Sequence, residues 1–217
     1  MVALSAGAAS AQMMAIDFEH AANGLFSPNN WNVLVGSERT VPNMIDENGA
    51  PTGKAFTMNL GTSFAGPVTP STIPQHTQPL DGIDDYYYGT GMLTAAIRGL
   101  TPGESYNVWV FGLRAFNMNN RVEIQGGGAP VIFEQVTTSG ILYVNGEIGD
   151  SSRTLDSYAV TQTADASGFI TIVMDDSAGT SVGWTIGGLA IAPGGPVCIP
   201  DLNGDGVVDA DDFFLFL

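Results

Sequence analysis

Cysteine occurs once in the 217 residues, as Cys198, which excludes an internal disulfide framework and a cysteine-rich zinc site. Basic residues are nearly as scarce. Six Lys and Arg face 22 Asp and Glu, for a formal net charge of −16. A field of that sign repels phosphate backbones and anionic lipid heads, which argues against nucleic-acid binding and polybasic membrane docking. The two histidines, His20 and His76, lie far apart, so no HExxH metalloprotease motif exists. No apolar run approaches the ~18 residues that a membrane-spanning helix needs. A GxSxG nucleophile elbow is absent, and Gly126-Gly127-Gly128 runs into Ala129-Pro130 and another strand pattern, which reads as a hairpin rather than a phosphate loop. Charged residues make up only 13% of the chain against 44% hydrophobic, so this is no disordered acidic tail.

What is abundant is turn-forming residue: 28 Gly and 12 Pro, which suit many short strands and disfavour long helices. Between residues 14 and 192, short runs of β-branched and aromatic residues are cut by Gly, Asn, Asp and Pro. Candidate strands fall at 15–19, 31–35, 54–60, 92–98, 105–112, 121–125, 131–136, 141–144, 157–163, 168–174 and 185–192. No segment of helical period competes. Strands without intervening helices predict an all-β fold, an antiparallel β-sandwich of two packed sheets. The stretch is too long for one immunoglobulin-type domain of ~100 residues, so a jelly roll over 12–192 fits better.

The two ends carry different signals. Ala9-Ser10-Ala11 before Gln12 has the small-residue pattern of a signal-peptidase site, with the apolar stretch Val2 to Ala8 ahead of it. Residues 1–11 therefore read as a partial signal peptide lacking its basic start, which places the chain outside the cell or on its surface. At the other end, 201–212 read DLNGDGVVDADD. Oxygen-bearing side chains recur at loop positions 1 (Asp201), 3 (Asn203), 5 (Asp205), 9 (Asp209) and 12 (Asp212). Gly206 takes position 6, and the carbonyl of Val207 supplies a main-chain oxygen. Calcium is a hard cation wanting six to eight oxygens, and this spacing wraps them around one ion. With Asp rather than Glu at position 12, the loop resembles the calcium repeats of dockerins, the cellulosome-type anchoring modules. Dockerins pair two such repeats, whereas here the chain stops at Leu217, within the apolar start of a first helix (Phe213, Phe214, Leu215). Residues 200–217 are thus expected to be a truncated repeat behind the Pro/Gly linker 193–199. The resemblance implies a cohesin-like partner for the full-length parent, and Cys198 is expected to pair beyond residue 217.

One internal passage also has a family likeness. Leu100-Thr-Pro-Gly-Glu-Ser-Tyr106-Asn-Val-Trp-Val-Phe-Gly112 resembles the turn into a central strand shared by fibronectin type III domains and galactose-binding-like jelly rolls. Pro102-Gly103 makes the turn, and the Tyr106 hydroxyl can close it. Together with Ile16-Asp17-Phe18, Trp31-Asn32, the 44–53 loop, 167–172 and 188–191, the order is similar to galactose-binding-like modules of secreted planctomycete-type bacterial proteins. The first and last strands are then expected to pair and close the sandwich.

Catalytic residues are not singled out. A glycosidase needs two carboxylates ~5–10 Å apart across a sugar bond. Adjacent strand residues point to opposite faces, so neither Asp84-Asp85 nor Asp175-Asp176 makes that pair alone. Glu104, Glu123 and Glu134 stand singly. The galactose-binding-like resemblance implies ligand binding instead, a sugar ring stacked on an exposed aromatic with its hydroxyls fixed by polar side chains. The candidates are Asp84, Asp85, Tyr86, Tyr87, Tyr88 and Arg114. Three consecutive tyrosines cannot all face inward, so one at least is expected to be exposed. The sequence leaves open whether Asp84 and Asp85 bind calcium, fix hydroxyls or only start a strand. Trp109 is expected in the core, and Trp31 could go either way. A carbohydrate-binding or surface-adhesion module is the leading reading. A polysaccharide-degrading enzyme and a structural surface-layer or matrix protein are the alternatives.

Overall fold

The computed structural model describes residues 12–19, 30–59, 83, 85–114, 117–137, 141–150, 152–176 and 183–194. The expected leader 1–11, the linker beyond residue 194, the expected calcium loop 200–217 and Asp84 lie outside the described residues. Apart from one 3-10 turn at Leu155–Tyr158, every element described is a strand.

A seven-stranded sheet runs in the order β11 (Glu147–Ile148), β10 (Tyr143–Val144), β7 (Ser105–Gly112), β15 (Gly188–Pro193), β1 (Met14–Glu19) and β2 (Asn32–Val35), with β12 (Val160–Thr163) also paired to β7. A six-stranded sheet runs β3 (Thr40–Val41), β4 (Ala55–Asn59), β6 (Leu93–Arg98), β13 (Phe169–Asp175), β8 (Met118–Gln125) and β9 (Val131–Thr137). A small third sheet joins β14 (Trp184–Ile186) to β5 (Tyr87–Gly89).

Period-2 patterning explains how the two large sheets meet. In β13, Ile170, Ile172 and Met174 are buried while the residues between them are half-buried, and β8 alternates in the same way. These inward rows join Phe56 and Ile97 from the same sheet. They pack against Ile16, Phe18, Val108, Val110, Leu189 and Ile191 of the seven-stranded sheet in one continuous core. Two sheets sharing their inner faces in this way form a β-sandwich. β1 pairs antiparallel with β15, Met14 opposite Ile191, so the ends of the domain close on each other as expected. The Thr101 N–H donates to the Tyr106 hydroxyl at 3.0 Å, which ties the turn to the strand behind it. The glycine run at 126–128 connects β8 and β9, which pair antiparallel from Met118↔Thr137 to Ile124↔Val131.

The structure corrects several expectations. The pairing is not wholly antiparallel, because β1 and β2 run parallel, Ile16 opposite Asn32. Twelve residues separate them, the length a parallel crossover needs. The Asn32 amide nitrogen reinforces the pair by donating to the Ala15 carbonyl at 2.8 Å. The expected single strand 185–192 divides at Gly187, where Ile83, Leu113 and the Asp85 carbonyl crowd the backbone and the chain passes from the small sheet to the large one. The expected strand 157–163 begins only at Val160, because residues 157 and 158 end a 3-10 turn, Leu155–Tyr158, whose Leu155 carbonyl accepts from Trp109 Nε1 at 2.8 Å.

The outer face of the seven-stranded sheet is also covered. Ala15, Trp109, Phe111, Val144, Ala190 and Ala192 form a second apolar layer with Trp31, Ile83, Tyr86, Leu142 and Tyr158. This covering explains why β1 is buried along its whole length despite its alternating Met-Ala-Ile-Asp-Phe-Glu sequence.

Candidate functional site

Strand alternation sorts the three tyrosines. Tyr87 turns into the main core, its ring 5.1 Å from that of Phe18, and its hydroxyl donates to the Leu34 carbonyl at 2.9 Å. Burial raises the pKa of that hydroxyl well above the ordinary tyrosine value. Tyr86 and Tyr88 share the opposite face, their rings 6.2 Å apart and inclined at 43°. Tyr86 is buried in the second layer, while Tyr88 is half-buried at its edge. Of the three, only Tyr88 keeps partial access to solvent, and none is fully exposed as the sequence led one to expect. The reason is that both faces of the neighbouring sheet are covered, so inward and outward residues alike find an apolar wall.

Arg114 reaches this group from the end of β7. Its guanidinium carbon lies 4.6 Å from the centroid of the Tyr88 ring, a cation–π contact. The surrounding backbone holds the pair. Tyr88 stands opposite Thr185 in the β5–β14 register, and the Thr185 hydroxyl donates to the Leu113 carbonyl at 2.7 Å, next to Arg114. Asp85 is fully buried beside them, with its carbonyl over Gly187. Three of the residues singled out in the sequence, Tyr86, Tyr88 and Arg114, thus converge where β5, β7 and β14 meet. Tyr87 does not join them.

The other candidates are placed elsewhere. Trp31, Trp109 and Trp184 are all buried, and among the described residues no aromatic side chain is exposed. Arg121 is a strand residue of the six-stranded sheet, where it bonds Glu123 at 2.5 Å and lies 3.7 Å from Asp175. Hydrogen bonds from Gln125 first and Arg121 second hold the Glu123 carboxyl below the usual carboxylate range. Glu104 and Glu134 are exposed.

Asp17 and Glu19 were not expected in the interior. Both are fully buried on the outer side of β1, and both are engaged in interactions there. Their alternation with Ile16 and Phe18 reads as an ordinary solvent face, so only knowledge of the second layer reveals them. Among the described residues, no three His, Cys, Asp or Glu side chains are grouped to hold a metal ion. No helix among them is long and apolar enough to cross a membrane.

No family model and no curated protein matches the chain. Several solved carbohydrate-binding modules match part of the chain. A family 35 carbohydrate binding module from Clostridium thermocellum is 14% identical over 64% of this chain and 91% of that one, with a TM-score of 0.32. The family 32 module of C. perfringens NanJ, in complex with galactose, is 11% identical over 64% and 93%, with a TM-score of 0.29. An exo-β-1,3-galactanase from Phanerochaete chrysosporium, with galactose, is 16% identical over 49% of this chain and 22% of that one, with a TM-score of 0.29. The chain spans only about a fifth of the galactanase's length, 22%.

Proposed function

We propose that residues 12–192 form a secreted, non-catalytic jelly-roll module of galactose-binding-like type that binds carbohydrate, followed by a calcium-binding, dockerin-like anchor. The observation that carries the binding reading is the convergence of Tyr88, Arg114 and Tyr86 beside the β5–β14 pair. A half-buried phenol backed by a guanidinium offers an apolar ring edge, a hydroxyl and several N–H donors within one small area. Sugars are recognised by that combination of apolar contact and directed hydrogen bonds. Tyr88 is held on β5 and its ring is backed by the Arg114 guanidinium, which limits the ordering cost of binding.

Retention of the full chain on immobilised galactans and on a glycan array tests the reading. Tyr88→Ala and Arg114→Ala are each expected to weaken retention about tenfold or more while the far-ultraviolet dichroism stays that of a β-protein. Retention unchanged in both folded variants removes this site. Failure of the parent chain to bind any glycan favours a structural surface-layer role instead.

Calcium enters through the donor set of 201–212. Four carboxylates, one amide and one main-chain carbonyl supply only oxygens, the chemistry of a hard cation. Asp201, Asp205, Asp209 and Asp212 repel one another without a counter-ion, so calcium is expected to order the loop when it binds. Calorimetric titration of the full chain is expected to show saturable binding with Kd of about 10⁻⁴–10⁻³ M, the range of extracellular modules. An Asp201→Ala, Asp205→Ala double variant is expected to lose it. An equal response from the double variant overturns the assignment. Such a loop would support docking to a cohesin-like protein.

A further inference from the structure

One fully buried side chain stands apart from the networks described so far. Gln135, in β9, has no solvent exposure, yet neither its amide oxygen nor its amide nitrogen has a hydrogen-bond partner within the protein. A primary amide carries two donors and two acceptor lone pairs, and burying it without partners forfeits all of its hydration. Such groups are rare in folded proteins, and each one needs a physical account.

The surroundings of Gln135 are specific. Its side chain lies flat against the backbone of Gly112 at the end of β7, so closely that a Cβ at that position would collide with the amide. Here the edge strand β9 of the six-stranded sheet meets the end of the interior strand β7 of the seven-stranded sheet. Asn120 is the cross-strand partner of Gln135 and is also fully buried. With its nitrogen toward the Gly183 carbonyl (3.2 Å) and its oxygen toward the Thr185 N–H (3.3 Å), the Asn120 amide is satisfied at both ends. Between those two residues sits Trp184, whose Nε1 is a second buried donor without a partner. The apolar core represented by Val110, Val122 and Ile124 therefore ends in a polar corner built from β7, β8, β9 and β14.

We propose that this corner is an internal hydration site, in which at least one ordered water molecule binds the Gln135 amide. The ligand must both donate and accept, must be neutral, and must be small, because the amide has no exposure to solvent. Water meets those conditions, whereas a metal ion would find no charged ligand on Gln135 and a larger molecule would find no path to an inaccessible amide. A buried water typically makes about three hydrogen bonds. Gln135 offers both a donor and an acceptor toward that number. The site closes the side of the sandwich where sheet-to-sheet contact passes from apolar to polar.

Two measurements on the full chain test the proposal. In a ¹⁵N-labelled sample, nuclear Overhauser contacts between the Gln135 side-chain amide protons and long-lived water are expected; their absence overturns the site. Gln135→Leu, similar in volume but unable to bind water, is expected to lower the folding equilibrium constant about tenfold, because the water loses its anchor. A Gln135→Leu protein as stable as the parent, or more so, shows instead that the amide was dry, and the proposal falls. Should that variant not fold, the water contact in the parent decides the matter alone.

Discussion

Asn145 does the work of several residues. It adopts φ of 48° and is followed by Gly146 at 83°, the left-handed pair of a two-residue hairpin turn between β10 and β11. Its side chain then replaces a missing stretch of strand. β10 pairs with Phe111 and Gly112 of β7, and β12 pairs with 105–108, leaving a gap on the same edge. Asn145 spans it, accepting from Val110 N–H at 2.8 Å and donating to the carbonyls of Val108 and Tyr158, both at 2.8 Å. Asn145→Ala strands buried backbone groups and forces alanine into a left-handed conformation. We expect a loss of about 2–4 kcal/mol in urea unfolding. Asn145→Gly, which relieves the backbone strain alone, should recover only a minor part of it.

At the scale of elements, the outer face of the six-stranded sheet shows how cross-strand chemistry substitutes for burial. Arg121 and Glu123 lie two apart on β8 and so share that face, with Asp175 opposite Arg121 on β13. Gln125 donates to Glu123 at 2.7 Å from the next position on the same face. Because the folded pKa of Glu123 is lowered, its contribution is present above the unfolded carboxylate value of about 4.3 and is lost as pH falls through the folded one. Being near solvent, the arrangement contributes less than about 1 kcal/mol. Glu123→Gln should therefore cost a few tenths of a kcal/mol at pH 7, and its urea midpoint should converge on that of the parent as pH falls from about 5 to 3. A difference independent of pH would show that packing, not charge, is responsible. The same strand illustrates what pattern reading catches: the alternation of β8, β9 and β13 and the glycine connection at 126–128 are local features, and the β8–β9 pairing follows from chain order, whereas β13 inserts between β6 and β8 from a distance.

For the molecule as a whole, the sequence by itself determined the class. Alternating β-branched residues, frequent Gly and Pro and the absence of helical periodicity require strands, and the Leu100-Thr101-Pro102-Gly103 turn with Tyr106 predicts a closure that the Thr101–Tyr106 hydrogen bond supplies. Those are properties of neighbours along the chain. Tertiary structure alone decided which polar and aromatic residues are accessible. Tyr86, Trp31 and Trp109 belong to a second layer that covers a sheet the pattern treats as one-sided, and the same layer places Asp17 and Glu19 inside. The short strands β3, β5 and β11 likewise carry too few residues to show a period, and their pairing with β4, β14 and β10 is fixed only by the tertiary fold. Arg114 and Tyr88, twenty-six positions apart, meet because Thr185 is hydrogen-bonded to one strand end and paired with the other. Period and turn chemistry act over a few residues, whereas burial and convergence depend on which distant segments the fold sets face to face.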